Sequence, residues 1–171
     1  MNRSLHHSLL RPSATILGWL AILGALIGCQ SPKSKFDAKA RERVVSESRE
    51  ALYDYHANIC KEGLLAEFAY LDSSADFHWR PPGTEVELGY DSVSKAIRLN
   101  ANAIDSTCGH WVSLEVEAVA WDTARYSGIL EIWTRMANAE TSMVRLLEEG
   151  LMVKRKEGWK LQSGRTELAP D

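Results

Sequence analysis

Two side chains near the C-terminus, Glu149 and Arg165, could together bind or polarise a ligand oxygen. Apolar and polar residues alternate through both segments, so each side chain belongs to one face of a predicted β-strand. If both faces point inward, the two groups would form a buried ion pair able to bind a carboxylate or polarise a carbonyl. If the register slips by one residue, both turn outward as a cross-strand ion pair that contributes only about 0.2–1 kcal/mol. The second interpretation is favoured.

Three other side chains could take part in proton transfer or hydrogen bonding. His78 lies in a short aromatic segment, residues 75–79, and a neutral imidazole there could act as a general base near pH 7. A histidine at a sheet edge, satisfied by backbone or water, is the favoured alternative. Tyr90 and Tyr126 could donate hydrogen bonds to a ligand oxygen, although a tyrosine in a strand more often buries its ring and wets its hydroxyl. The candidates for a catalytic base are therefore His78 and Glu149.

Five of the six tryptophans follow residue 28. Trp111, Trp121 and Trp133 share the alternating positions of the charged residues in their predicted strands, which places them on the outer face of the sheet. There they would form a surface that contacts another protein, and the favoured partner is a second copy of this chain in a homodimer. The alternative is that tryptophans line an apolar ligand cavity.

The helices that must position these groups are predicted by apolar residues at every third or fourth position. This spacing runs from residue 44 to 59 and again from 64 to 71, which predicts two helices separated by Gly63. Asp91 is suited to cap a third helix that reaches about residue 104.

From residue 111 onward the period of the pattern changes to two. Four segments show it, separated by turn-forming pairs: 111–121, 125–136, 143–154 and 159–167. The sequence therefore predicts an α+β domain in which three N-terminal helices pack in a strongly curved antiparallel sheet.

The first 28 residues have the composition of an export signal. Arg3 and Arg11 are their only charged residues, and an apolar run of 14 residues follows over 15–28. This length is typical of a signal peptide and falls short of the roughly 20 residues that a membrane-spanning helix needs. A cleaved signal is favoured over a transmembrane anchor.

The end of that run, LIGC at residues 26–29, resembles the lipobox that lipoprotein signal peptidase recognises. The resemblance implies diacylglycerol on the sulfur of Cys29, cleavage before Cys29 and acylation of the new amine, so palmitate would label the protein. Several acyl chains would hold the chain at a membrane nearly permanently. Gln30 stands where an aspartate would indicate inner-membrane retention in enteric bacteria, so we expect an envelope lipoprotein that faces the periplasm, with the outer membrane favoured. An ordinary signal that ends in a chance cysteine is the alternative.

Residues 29–42 are predicted to be the lipidated cysteine and a polar tether, and residues 43–168 a single domain. Without the signal, 18 basic residues stand against 23 acidic ones, which argues against binding to nucleic acid. The histidines are scattered and no glycine-rich phosphate loop occurs, so we expect neither a metal site nor a cofactor. Cys60 and Cys108 could form a disulfide in an oxidising compartment, or remain buried free thiols.

Four short phrases, in their order and spacing, resemble the nuclear transport factor 2-like superfamily, particularly its SnoaL-like branch. They cover about residues 43–167 and are KEGLLAEF (61–68), GYDSV (89–93) followed by Ile97, DTAR (122–125) and GWKL (158–161). The resemblance implies a cone, in which a strongly bent sheet closes over the helices and leaves a pocket at its wide end. In such a cone the segment around His78 would line the pocket.

The resemblance alone does not give a function, because the family includes isomerases, cyclases and dehydratases as well as non-catalytic binding domains. Many SnoaL-like chains carry a histidine in the last strand, whereas QSGR at 162–165 has none. That difference favours an envelope lipoprotein that binds a small, partly apolar molecule or a protein partner without catalysis. One alternative is an enzyme of the isomerase, cyclase or dehydratase type, which removes a proton next to a carbonyl while Tyr126 or Arg165 stabilises the enolate. A structural docking lipoprotein is the other alternative.

Overall fold

The computed structural model describes residues 36–137 and 140–170, and the predicted signal and Cys29 lie outside them. Helix α1, Ala38–Glu62, begins where the Asp37 carboxylate accepts a hydrogen bond of 2.9 Å from the backbone of Ala40. The expected tether through residue 42 is therefore too long, because this cap starts the helix at Ala38. Within the described residues, no helix combines the length and the hydropathy needed to cross a bilayer.

Two further helices and two short strands separate α1 from the long strands. They are a 3-10 helix, Leu64–Ala69; strands β1, His78–Arg80, and β2, Leu88–Gly89; and helix α2, Tyr90–Ala101. The long strands are β3, Ile104–Ala120; β4, Thr123–Met136; β5, Thr141–Arg155; and β6, Gly158–Leu168. The predicted order of three helices before the four long strands is confirmed, although β1 and β2 precede α2, the second helix is only a 3-10 helix and α2 is capped by Gly89 rather than Asp91.

The sheet has six strands in the order β2-β1-β6-β5-β4-β3. The four long strands form the expected antiparallel meander, whereas β1 pairs in parallel with β6 and carries β2 at the edge. The predicted α+β class is confirmed, with a mixed sheet in place of a purely antiparallel one.

Helix α1 packs its apolar stripe against the inner face of the sheet. Val44, Leu52 and Ile59 are buried in this contact, and the hydroxyl of buried Ser48 donates to the Val44 carbonyl at 2.7 Å. From the sheet, the largest core side chains include Trp111, Tyr126, Leu130, Met152 and Leu161. Each of these large apolar side chains stabilises the fold by about 1.5–3 kcal/mol when buried. The contact between α1 and the sheet therefore contributes a large part of the stability of the domain.

Two irregularities in strand pairing decide which side chains face inward. In β3 the pairing shifts between Trp111 and Ser113, so Val112 is an extra residue and is 46 % exposed, whereas Trp111 is 7 % exposed. In β6 the partner of Leu151 is Ser163 but the partner of Met152 is Leu161, which makes Gln162 the extra residue. Each bulge inverts the alternation of the residues on one side of it.

A disulfide between Cys60 and Cys108 joins the last turn of α1 to β3, the edge strand opposite β2. It closes a segment of 48 residues that contains the 3-10 helix, β1, β2 and α2. Both ends of the cross-link lie next to residues that line the cavity described below.

Candidate active site

A cavity of about 350 Å³ lies between the helices and the inner face of the sheet. Most of its wall is apolar, and the apolar lining includes Ile59, Leu64, Leu71, Phe77, Val93, Leu130, Ile132, Leu146 and Leu161. Its volume is within the range of small-molecule sites in proteins. The polar groups that enter this apolar space are few, so each of them would orient a bound molecule.

Glu148, on β5, is the most deeply buried carboxyl group of the cavity, with 6 % of the residue exposed. The hydroxyl of Tyr126 donates a hydrogen bond of 2.9 Å to its Oε1. Burial raises the pKa of Glu148 to about 7, and the charge of Glu67 adds to the rise, while the hydrogen bond from Tyr126 acts in the opposite direction. A carboxyl group with this pKa can both take up and release a proton near neutral pH.

Glu67, at the 3-10 helix, is a second carboxyl group on the wall of the same cavity. Its Oε1 accepts a hydrogen bond of 2.8 Å from the hydroxyl of Tyr55 on α1. Burial raises the pKa of Glu67, although this hydrogen bond lowers it. Burial also raises the pKa values of Tyr55 and Tyr126 well above their usual range, so both hydroxyls remain protonated donors to their carboxylates.

His56 lies on α1 one position after Tyr55, is 6 % exposed and also lines the cavity. Burial lowers the pKa of His56 to about 4, so its imidazole is neutral at pH 7. Its Nε2 is buried and has no hydrogen-bond partner in the described part of the chain. Because an unsatisfied buried nitrogen is costly, this atom is available to hydrogen-bond a polar atom of a molecule or water that enters the cavity.

Two glycines make room for these side chains. A Cβ atom at Gly109 would lie 3.0 Å from Nδ1 of His56, and one at Gly150 would lie 2.9 Å from Cε1 of Tyr126. Both positions therefore favour glycine for close packing rather than for backbone freedom.

A wider groove, of about 640 Å³, lies on the outer face of the sheet. His78 and Arg80 form part of its wall, and the ion pair between Arg165 Nε and Glu149 Oε1, 2.7 Å long, forms another part. These charged groups are solvated, and exposed ion pairs of this kind contribute little. The inner cavity, which holds the buried carboxyl groups, is therefore the better candidate for acid–base chemistry.

No protein-family model and no curated protein matches the chain in sequence. Solved structures do match it in fold. A candidate scytalone dehydratase from Novosphingobium aromaticivorans superposes with a TM-score of 0.67 at 12% identity, over 78% of this chain and 89% of that one. A candidate dehydratase of the NTF2-like family from Streptomyces avermitilis superposes with a TM-score of 0.65 at 14% identity, over 76% of this chain and 99% of that one. A hexachlorocyclohexane dehydrochlorinase from Novosphingobium barchaimii superposes with a TM-score of 0.61 at 11% identity, over 78% of this chain and 92% of that one.

The fold is nuclear transport factor 2-like. The fold that the four short phrases implied is thus confirmed, and the cavity lies between the helices and the curved sheet, as that fold implies. Membership of the superfamily and of its SnoaL-like branch stays a prediction.

Of the predicted pocket residues of this nuclear transport factor 2-like domain, only Tyr126 comes next to the cavity, through its hydrogen bond to Glu148. His78 is exposed and its Nδ1 lies 3.0 Å from the Asp76 carbonyl, while Tyr90 packs edge-on against Phe77. The implication of the resemblance that His78 lines this cavity is therefore wrong, because its alternation in β1 directs it outward. His78 is instead the sheet-edge histidine with a backbone partner that the sequence favoured, and it lines the outer groove with Glu149 and Arg165.

The inward orientation considered for Glu149 and Arg165 is also wrong. The residues of β5 that face inward are Leu146, Glu148 and Met152, and the bulge at Gln162 turns Arg165 outward. Glu149 and Arg165 are direct cross-strand partners on the outer face, which is the exposed ion pair that the pattern favoured.

Of the three tryptophans of the candidate dimer surface, one faces inward and two face outward. Trp111 is buried against Tyr126 and His56, so its assignment to an outer surface is wrong, because the bulge at Val112 inverts the alternation. Trp121 and Trp133 are 38 % and 37 % exposed. The homodimer itself stays a prediction.

The residues that carry the candidate site, His56, Glu67 and Glu148, were missed. His56 follows Leu52 by four positions and so belongs to the apolar stripe of α1, where a histidine is unusual. Adjacent Glu148 and Glu149 occupy consecutive strand positions, so one of the two had to face inward. Both signals were present in the sequence. Glu67 gave none, because the short 3-10 helix has no pattern long enough to show a face.

Proposed function

We propose that this protein is an acid–base enzyme of the isomerase or lyase type, in which Glu148 removes a proton from the carbon next to a carbonyl group. The observation that carries the proposal is the buried Glu148 carboxyl group, held by Tyr126 at the wall of an apolar cavity. An ionisable group with a shifted pKa in a cavity is a frequent mark of an active site.

In the proposed step, the Glu148 carboxylate takes the proton and the electrons of the C–H bond move into an enolate. Neutral His56 would donate a hydrogen bond from Nε2 to the enolate oxygen, in the tautomer that carries the proton there. Protonated Glu148 then returns the proton to another carbon in an isomerisation, or the enolate expels a leaving group from the next carbon in an elimination.

The cavity also restricts the substrate. Its lining holds two carboxyl groups, and no lysine or arginine is found in that lining within residues 36–137 and 140–170. An anionic substrate would meet two acidic groups and no counter-charge, so we propose a small, largely apolar and uncharged carbonyl compound. The names of the similar structures, dehydratase and dehydrochlorinase, describe eliminations and support this class of reaction.

We further propose that the enzyme acts at a bacterial envelope membrane, held there by lipid on Cys29. The LIGC sequence at residues 26–29 supports this anchor. Its test is palmitate labelling and membrane fractionation of the full-length chain, both of which should be lost in Cys29→Ser.

Carbon-bound hydrogen exchange tests the catalytic proposal without knowledge of the natural substrate. The full-length protein in phospholipid nanodiscs is incubated in D₂O with small cyclic ketones, and loss of the α-proton signals is followed by NMR. We expect saturable exchange above the buffer rate, and a decrease of 100-fold or more, on the order of a general-base contribution, in Glu148→Gln. Glu149→Gln is the matched control, because it changes the neighbouring, outward-facing carboxylate.

The result also separates catalysis from simple binding. Ketones that shift cavity resonances in Glu148→Gln and wild type alike, without exchange in either, would overturn the catalytic proposal and favour a binding protein.

A further inference from the structure

We propose that Phe36 and Trp121, with the basic side chains beside them, form a membrane-contact patch that holds the domain in one orientation on an anionic phospholipid bilayer. The patch consists of Phe36, Lys39, Arg41, Arg43 and Trp121. It rests on the proposed lipid anchor and is independent of the proposed chemistry.

The patch combines apolar rings and cationic groups at one end of the domain. The rings of Phe36 and Trp121 are 5.5 Å apart. The guanidinium of Arg41 lies 5.0 Å from the centre of the Phe36 ring, and that of Arg43 lies 5.8 Å from the centre of the Trp121 ring. Trp121 nevertheless remains 38 % exposed.

Such a composition fits the interfacial region of a bilayer. Tryptophan places its ring at the level of the headgroups, while arginine and lysine pair with lipid phosphates. Lys39 and Arg43 are separated by four positions in α1 and therefore lie on the same side of the helix. Val119, 45 % exposed at the end of β3, adds apolar surface two residues before Trp121.

The length of the connecting chain brings this patch to the membrane. Six residues, 30–35, separate Cys29 from Phe36. Because an extended chain spans at most about 3.6 Å per residue, Phe36 can lie no farther than about 25 Å from a lipid-modified Cys29. The end of the domain that carries the patch is thus the end that the anchor holds nearest to the lipid.

The distribution of charge favours an anionic surface at this end. Residues 30–43 contain five basic and two acidic side chains, whereas residues 44–171 contain 13 basic and 21 acidic ones. The acidic side chains at this end are Asp37 and Glu42, together with Glu47, which lies 4.0 Å from Arg43, and Asp122 beside Trp121. They reduce the local excess without reversing it, and Glu47 is shared with Lys154. An anionic bilayer would attract this segment and repel the rest of the domain, which would orient the protein.

Trp133 provides a matched control for Trp121. It is 37 % exposed on the same strand pair, where it stacks on His110 with ring centres 4.9 Å apart. Strand β4 begins at Thr123, two residues after Trp121, and Trp133 follows Thr123 by ten positions. At roughly 3.3 Å per residue, Trp133 therefore lies far along the strand from Trp121. Its neighbour Glu131 pairs with Arg145 at 3.0 Å and gives no basic excess.

Fluorescence quenching by brominated lipids tests the patch in the full-length lipidated protein. Proteoliposomes of phosphatidylglycerol and phosphatidylethanolamine are prepared with and without bromine on the acyl chains. We expect bromine to quench tryptophan emission in wild type and in Trp133→Phe, and most of this quenching to be lost in Trp121→Phe. Arg41→Glu combined with Arg43→Glu should also reduce the quenching.

The outcomes distinguish the patch from the anchor. Equal quenching in Trp121→Phe and Trp133→Phe, or quenching that is the same in phosphatidylcholine and in anionic vesicles, would overturn the patch. Loss of palmitate labelling in Cys29→Ser tests the anchor separately. A lipidated protein whose Trp121 is not quenched would therefore contradict the membrane-contact patch and leave the anchor unaffected. Unchanged near-ultraviolet circular dichroism confirms that each variant is folded.

Discussion

The hydroxyl of Tyr126 on β4 donates a 2.9 Å hydrogen bond to Oε1 of Glu148 on β5, across two neighbouring strands and inside the cone. Burial raises the pKa of the carboxyl group to about 7. The hydrogen bond works against that rise because it stabilises the charged form. The pKa of Glu148 near 7 therefore reflects burial and the charge of Glu67, which raise it, against this hydrogen bond, which lowers it.

Replacement of Tyr126 by phenylalanine should raise the pKa of Glu148 further. The variant keeps the ring in the core and removes only the donor to the carboxylate, whose loss corresponds to roughly one pKa unit or more. The pH dependence of α-proton exchange should keep its rise with pH, because deprotonated Glu148 is the base, but its midpoint should move to higher pH. A midpoint at the same or lower pH would contradict the role given to Tyr126.

Glu148 should also make the protein less stable as the pH rises. Its pKa in the folded state is about 7 and the ordinary value is 4.5, so the folded state binds more protons between these values. The free energy of unfolding therefore falls as the pH rises from about 4.5 to 7, by as much as about 3 kcal/mol. In Glu148→Gln the part of the pH dependence that Glu148 contributes should be lost, so the difference in unfolding free energy between wild type and variant should change by about this amount between pH 4.5 and 7 in urea unfolding, whereas Glu149→Gln should show no such difference.

His56 should produce the opposite slope. Burial lowers its pKa from 6.5 to about 4, so the folded state binds fewer protons than the unfolded state in this interval. The free energy of unfolding therefore decreases as the pH falls from about 6.5 to 4, because the buried imidazole must then take up a proton. Relative to wild type, His56→Gln should gain stability as the pH falls through that window. Equal pH profiles for the two proteins would show that His56 does not titrate as its burial implies.

Most of the architecture could be predicted from periodicity, but the site could not, because a bulge leaves no clear mark in one sequence. The alternation of β3 and β6 was recognised, yet extra residues at Val112 and Gln162 reversed the faces of Trp111 and Arg165. For β5 the pattern favoured an outward-facing Glu149, which is confirmed, but the consequence that the adjacent Glu148 faces inward was not drawn. The cap at Asp37 extended α1 beyond its expected start, since the polar first turn of a helix lacks the apolar pattern.

Gly150→Ala should disturb the Tyr126–Glu148 contact without touching either side chain. The added Cβ would lie 2.5 Å from the Ser163 carbonyl oxygen and 2.9 Å from Cε1 of Tyr126, so the strand or the ring must move. Overpacking of this kind costs about 1–3 kcal/mol. We expect a lower unfolding free energy and a changed exchange midpoint. Gly89→Ala is the control for the added methyl group, because no atom lies within 4 Å of its added Cβ; it should cost up to about 1 kcal/mol through a weaker cap of α2 and leave the exchange midpoint unchanged.

The Cys60–Cys108 disulfide should stabilise both the fold and the cavity. It closes 48 residues, for which the chain-entropy estimate gives about 4 kcal/mol. Ile59 of α1, and Thr107 and Gly109 of β3, line the cavity directly beside the two cysteines, so release of this link should loosen the wall that also holds His56. The double variant Cys60→Ser/Cys108→Ser should unfold at lower urea and bind cyclic ketones more weakly than wild type, and dithiothreitol should shift wild type toward the variant while leaving the variant unchanged. If the variant matched wild type in ketone affinity at a temperature where both are folded, the disulfide would stabilise the chain without shaping the cavity.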